Sequence, residues 1–306
     1  MNSTFTVVSS DGVRHEMSLF FPRTRQAPVL WCLPAMGMAA KYYRPFAEAL
    51  AAEDLGVAAL LDLRGQGRSS VAAPRGDAFG YREILELDLP QAVRRLRQEL
   101  GGRRLFIVGH SLGGQLGLFL AARLQQEIDG LILVASGTAY YRDWPERERF
   151  RAWLTTVGVR AVARLLPWYP GRLLGFGGDQ PARLMRDWGR VTSRGVYVPE
   201  GSEFDYERAA GSLTVPILSI GVRGDPIAPA TASEALLARA PLSPLTRINV
   251  DGVRQHRPWK RHFSWAREPA QVAAAIGEWL AALDAARAVD LDADAADHRG
   301  LVRRQV

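Results

Sequence analysis

The sequence predicts an α/β fold, a mostly parallel, doubly wound sheet into which a helical segment is inserted. Three observations predict it. Short apolar runs alternate with longer runs of helical periodicity up to about residue 136. The alternation stops from about 137 to 212 and then resumes. A glycine-serine-glycine turn joins one apolar run directly to the helical run after it.

In chain order, Thr4 to Ser9 and Val13 to Phe21 flank Asp11-Gly12, a hairpin signal. Val29 to Leu33 is apolar throughout, as a buried strand would be. Tyr42 to Ala52 is helical, with Phe46, Ala49 and Leu50 as its apolar positions. Val57 to Leu61 is the next strand. Over Ile84 to Leu100 the residues Leu85, Leu89, Val93, Leu96 and Leu100 recur at helical spacing and predict one long helix. Arg104 to Val108 is a strand that feeds a helix over Gln115 to Glu127, and Leu131 to Ala135 is another strand. After the interruption come a strand over Val215 to Ile220, a helix over Thr231 to Arg239, a strand over Thr246 to Val250 and a final helix from about Pro269 to Leu283.

The interruption is helical, loop-like and aromatic. It holds twelve of the 27 aromatic residues, Trp144, Trp153, Trp168 and Trp188 among them. Because the sheet pattern resumes after it, 137–212 reads as a cap inserted between two strands of a core formed by 1–136 and 213–284. The polar stretch 285–306 is expected to be a frayed or disordered tail.

Composition narrows the function classes. The 306 residues are 47% apolar and 23% charged, ordinary globular material. The net charge of +7 is nearly all arginine, since only Lys41 and Lys260 are lysines, and the arginines interleave with acids. No basic block with interleaved aromatics appears, so nucleic-acid binding is not expected. The single cysteine, Cys32, lies in an apolar run and reads as a small buried hydrophobe. No secretory signal and no spanning run is visible, which makes the cytoplasm the default. No ligand cluster implies a metal or a cofactor.

The informative turn is Gly109-His110-Ser111-Leu112-Gly113, placed between strand and helix as a nucleophile elbow is. A serine hydroxyl is a weak nucleophile at neutral pH and needs a base, a histidine held in one tautomer by an acid. With such an elbow the chain order is serine, acid, histidine. Asp225 fits the acid, in the stiff loop Asp225-Pro226-Ile227-Ala228-Pro229 after a strand. After the preceding strand stands Ser136-Gly137, and the nearest acid there, Asp143, lies too far into the cap. Two histidines follow the last strand. His262 directly precedes the final helix and is the first candidate; His256, in a basic loop, is the alternative. His110 should point into packing, His15 lies on an early strand, and His298 is in the tail. The developing oxyanion needs preorganised N–H donors. Leu112, just after the nucleophile, and Met36, in Pro34-Ala35-Met36-Gly37, are the candidates.

These residues resemble a cap-bearing serine hydrolase of the α/β-hydrolase superfamily, nearest its serine aminopeptidase and monoacylglycerol-lipase-like branch. The resemblance rests on Gly109-His110-Ser111-Leu112-Gly113-Gly114, on Asp62-Leu63-Arg64-Gly65-Gln66-Gly67-Arg68-Ser69, on the Asp225 loop and on His262-Phe263. It covers about residues 15 to 284 apart from the cap. Three departures stand out. Pro34-Ala35 replaces the usual His-Gly, Gln66 stands where many members have histidine, and the loop before His262 is long. A serine at the elbow argues against the haloalkane dehalogenases and epoxide hydrolases, which carry aspartate there. The resemblance implies hydrolysis of an acyl ester or thioester through an acyl-enzyme on Ser111, without metal or cofactor. The aromatic cap suggests a partly apolar small molecule as substrate, with Trp144, Trp153, Trp168 and Trp188 as candidate contacts. An acyltransferase or a carrier-acyl thioesterase would use the same three residues, the cap arginines then holding an anionic group. An aminopeptidase would need a cap acid such as Glu203 or Asp205, and a non-catalytic binding protein is the remaining alternative. Oligomeric state is not legible in the sequence.

Overall fold

The computed structural model describes residues 2–24, 26–76, 78–252 and 256–302. Its main sheet has eight strands: β1 (Asn2–Val8), β2 (Arg14–Phe20), β3 (Val29–Leu33), β4 (Val57–Leu61), β5 (Leu105–His110), β6 (Gly130–Val134), β9 (Ile217–Val222) and β10 (Leu245–Val250). Their order across the sheet is β1-β2-β4-β3-β5-β6-β9-β10. β1 pairs antiparallel with β2 and β2 antiparallel with β4; every later pairing is parallel. Strands β3 to β6 are buried at every residue because helices cover both faces. The alternation of side chains along β3 divides the core. Val29, Trp31 and Leu33 join one apolar cluster with Leu116 and Phe119. Leu30 and Cys32 join the other with Phe46, Trp265 and Trp279. Cys32 is thus a buried core residue, and burial pushes its thiol up.

Helices α1 (Arg44–Ala52), α2 (Leu89–Leu100) and α3 (Leu112–Arg123) follow β3, β4 and β5. The single helix predicted over 84–100 begins instead as a wide π turn, Glu83–Asp88, before α2. Pro90 explains the difference, since it has no N–H to donate and its ring crowds the carbonyl four residues back.

The chain leaves the sheet after β6 and returns at β9. In between lie α4 (Glu146–Leu165), β7 (Trp168–Pro170), α5 (Gly171–Leu174), β8 (Asp179–Pro181), α6 (Ala182–Arg194) and α7 (Tyr206–Gly211). The short antiparallel pair β7–β8 was not legible as strands, being three residues each with a proline in both. Helix α8 (Ala230–Leu237) precedes β10, and α9 (Arg261–Ser264) precedes α10 (Ala270–Val302). The last helix therefore runs past its expected end near Leu283, where a frayed tail was expected. The stretch 285–302 is rich in alanine, the strongest helix former, and contains no proline. No helix among the described residues is long and apolar enough to cross a membrane. No group of three or more His, Cys, Asp or Glu among them could hold a metal.

Candidate active site

The C-terminal ends of β3, β5, β6 and β9 bring together the residues that the sequence singles out. β5 passes into α3 through Ser111, whose φ is +53°. A positive φ is strained for a non-glycine residue and persists only where the surroundings impose it. Here glycines impose it. A Cβ at Gly113 would stand 2.1 Å from the Leu33 carbonyl oxygen, and one at Gly109 2.3 Å from the Gly114 Cα. The Ser136 hydroxyl lies 3.2 Å from the carbonyls of Gly109, Ser111 and Val134 and donates its one proton among them, tying the elbow to β6.

Asp225 sits at the end of β9, in the loop made stiff by Pro226 and Pro229. Its Oδ1 accepts from the Ile227 N–H at 2.8 Å and the Ala228 N–H at 3.3 Å. Its Oδ2 lies 2.6 Å from His262 Nδ1, and both side chains are 1% exposed. A buried carboxylate can only accept, so Nδ1 donates and the lone pair is left on Nε2. His110, fully buried, stacks at an angle against His262 with ring centroids 4.7 Å apart. Burial first, and His262 beside it second, hold the His110 ring well below the usual imidazole range, so it stays neutral. The Tyr43 hydroxyl accepts from the Ala35 N–H at 2.9 Å, which directs its own proton to His110 Nδ1, 2.7 Å away. Tyr43 thereby fixes the Pro34–Gly37 loop to the elbow.

A cavity of about 1250 Å³ opens above these groups. Ser111, His262, Met36 and Leu112 line its floor; Val159 and Val162 of α4, with Tyr169, Phe176, Trp144 and Trp188, form much of its roof. The N–H of Leu112 belongs to the first turn of α3, where helix geometry leaves donors without a carbonyl. Arg151, Arg172, Lys260 and Arg267 line the cavity too, against Glu268 as the one lining carboxylate.

Comparison with known proteins gives the family. Residues 25–191 match the family described as serine aminopeptidase, S33. The chain is a member of that family, within the α/β-hydrolase superfamily. The hydrolase is 27% identical over 247 residues to the protein named Putative carbamate hydrolase RutD of Cronobacter turicensis, covering 74% of this chain and 84% of that one. It is 31% identical over 152 residues to the pimeloyl-[acyl-carrier protein] methyl ester esterase of Chromobacterium violaceum, covering 49% of this chain and 52% of that one. Among solved structures it resembles Est1E from Butyrivibrio proteoclasticus, solved with ferulic acid, with a TM-score of 0.62 at 15% identity. That match covers 92% of this chain and 99% of the other. The protein is an α/β-hydrolase enzyme.

Of the residues expected from sequence, Ser111, His262, Met36, Leu112, Trp144 and Trp188 line the cavity of the hydrolase, and Asp225 is bonded behind His262. Trp153 and Trp168 are not among the lining residues. Trp153 lies on the outer face of α4, stacked on Phe150, because the cavity face of that helix carries 152, 155, 156 and 159 instead. Trp168 heads β7 half-buried, and its neighbour Tyr169 takes the lining place. His256 is exposed and does not line the cavity. Neither Glu203 nor Asp205 reaches it; Asp205 caps α7 by accepting from the Arg208 N–H. Asp62 is spent on structure, accepting from the Ala40 and Arg68 N–H groups. Sequence reasoning missed Tyr43, whose spacing marks it only as a helix residue. It also missed Trp259 and Lys260, which stand just before His262 in what read as an inserted loop.

Proposed function

We propose that the hydrolase cleaves an acyl ester or thioester of a partly apolar small molecule through an acyl-enzyme on Ser111. In this reading His262 Nε2 takes the proton of the Ser111 hydroxyl, and Asp225 orients His262 and stabilises its charged form. The N–H groups of Met36 and Leu112 receive the oxyanion, and the cap supplies the pocket for the acyl chain. The observation that carries the reading is the buried His262–Asp225 pair beneath a cavity that Ser111 also lines. A fluorophosphonate probe tests it: the wild-type protein should label at Ser111 and the folded Ser111→Ala variant should not label at all. Equal labelling of the two proteins would sink the mechanism.

A second reading keeps the same residues and changes the partner, to acyl transfer or to a carrier-bound acyl thioester. Four cationic side chains against one carboxylate around the cavity favour it. So does the relative named as acting on an acyl-carrier-protein ester. Rates on matched esters and thioesters, with and without an alcohol acceptor, separate the two.

A further inference from the structure

Of the two N–H groups proposed for the oxyanion, that of Leu112 opens α3 and is fixed by the helix, whereas that of Met36 lies in a loop. The loop is a tight turn over 35–38. The Met38 N–H donates to the Ala35 carbonyl at 3.1 Å, and Gly37, with φ +74°, supplies the left-handed residue that a type II turn needs at its third position. Such a turn leaves the N–H of its second residue unused. Among the described residues the Met36 N–H donates to no backbone carbonyl.

The turn is held from its first residue. Pro34 has no N–H, so Ala35 is the first residue after Leu33 that can donate. Its N–H donates to the Tyr43 hydroxyl at 2.9 Å, and that hydroxyl sends its proton to His110 Nδ1 at 2.7 Å. Tyr43 and His110 are both 0% exposed, and neither lines the cavity. His110 ends β5 and is joined by one peptide bond to Ser111. Two hydrogen bonds and a peptide bond thus run from the turn to the nucleophile. The pairing requires a neutral ring, because a charged imidazole would donate from Nδ1 rather than accept. The same ring packs on His262 and Trp265, with centroids 4.7 and 5.2 Å away. His110 Nε2 has no hydrogen-bond partner, so Tyr43 is the ring's one polar anchor among the described residues.

Building on the serine mechanism above, we propose that Tyr43 and His110 are positioning residues for the oxyanion. They hold the 35–38 turn against the elbow, so that the Met36 N–H is aimed before charge develops on the substrate oxygen. Donors fixed in advance need no reorganisation at the moment of reaction. Tyr43→Phe separates this role from packing. Its ring keeps the edge contacts with Tyr42 and His110, while the Ala35 N–H and His110 Nδ1 lose their partner.

The test assays the intact protein on one acyl ester, with competent sites counted by fluorophosphonate labelling run to completion. Tyr43→Phe should lower kcat per labelled site about 10- to 100-fold and leave KM within about twofold. A trifluoromethyl ketone supplies the second readout. Its carbonyl carbon bonds to Ser111 Oγ, its oxygen becomes the oxyanion, and the serine proton passes to His262. Its affinity should fall by the same factor as kcat. His110→Leu should lower both quantities too, and the double variant should fall short of the product of the single losses, since both act through one hydroxyl. His110→Asn, whose Oδ1 can accept where Nδ1 does, should recover most of the His110→Leu loss. That pair decides the matter where Tyr43→Phe does not fold. A packing role alone would reduce the number of labelled sites and leave kcat per site and ketone affinity unchanged, which overturns the inference. Independent, multiplying losses in the double variant overturn it as well. Absent labelling of the wild-type protein overturns instead the serine mechanism beneath it.

Discussion

The floor and the roof of the first cavity are built by different forces. On the floor, the side chains of Asp225 and His262 are 1% exposed, and backbone N–H groups or a matched partner hold them. On the roof, large apolar side chains face outward: Phe150 is 71% exposed, Leu165 81% and Leu173 85%. Only Thr156, Val159 and Ala163 of α4 are buried. The contrast follows from the two tasks. On the proposed mechanism, moving a proton between Ser111 and His262 needs placement within a fraction of an ångström, and a misplacement of about 1 Å costs on the order of 10²-fold. In the same reading, selecting an apolar chain needs only volume and apolar surface, which a helix with an exposed outer face supplies. The floor should therefore fail sharply on substitution and the roof gradually.

On the proposed mechanism the sharpest break is at Ser111. Ser111→Ala should lower kcat for a simple acyl ester by about 10⁶-fold with the fold intact, since the base alone is of no use without the hydroxyl. Circular dichroism checks the fold and steady-state assay the rate. Asp225→Asn should follow, at about 10⁴-fold in kcat. Its Oδ1 could still accept from Ile227 and Ala228, but its amide would then face His262 Nδ1 and force the other tautomer. A loss of less than about tenfold would place the orienting acid elsewhere.

Much of the floor was legible in the sequence because the forces that shape it are local. Gly109 and Gly113 must be glycine where backbones touch, and Asp225 and His262 sit at fixed places in the strand order. The roof was legible only as an insertion. Which face of each element turns inward depends on its packing, as that of α4 does on α6, so composition marked all four tryptophans while the fold uses Trp144 and Trp188 for the cavity. Tyr43 was invisible for a related reason. Its hydroxyl matters through Ala35 and His110, and the separation of 67 positions between Tyr43 and His110 is closed only by the fold.

Away from the cavity, the core should also titrate. Arg64, in the Asp62 loop, holds Asp88 through two hydrogen bonds of 2.9 and 2.6 Å and pairs with Asp11 at 2.7 Å. Burial alone would raise the Asp88 carboxyl, but Arg64 and then His15 outweigh it and hold it below the ordinary range. A carboxyl lowered on folding stabilises above its unfolded value and loses that contribution as pH falls toward the folded one. Urea midpoints of the wild-type protein should thus fall as pH drops below about 4. Asp88→Asn should cost about 2 kcal/mol at neutral pH, because buried Arg64 keeps Asp11 but loses the second of its two carboxylates, and should flatten the acid limb. An unchanged acid limb would show that other carboxylates set it.

On the roof, Trp144→Ala should change the ranking of short against long acyl esters by roughly 10–200-fold in kcat/KM, the worth of lost apolar contact in such a pocket. Probe labelling at Ser111 should persist, because nothing in the roof holds the proton-transfer groups. A uniform fall across all chain lengths would mean that Trp144 supports the floor and that the two regions are not separable in this way.

The smallest effect belongs to the outer face of α4. Leu165, 81% exposed, buries little, so exchanging it for a polar residue removes almost no packing and leaves no cavity. Leu165→Gln should change unfolding free energy by no more than about 0.5 kcal/mol, as surface substitutions do. The chain-length ranking should be that of the wild-type protein, because Leu165 is not among the residues lining the cavity. The measurement is sharp because its partner on the same helix is known. Val159 is 5% exposed and lines the cavity, so Val159→Ala should both destabilise and shift the ranking. If Leu165→Gln instead shifts the ranking as Val159→Ala does, α4 does not keep one fixed face toward the cavity during turnover, and the inward and outward sides of the roof exchange while substrate enters.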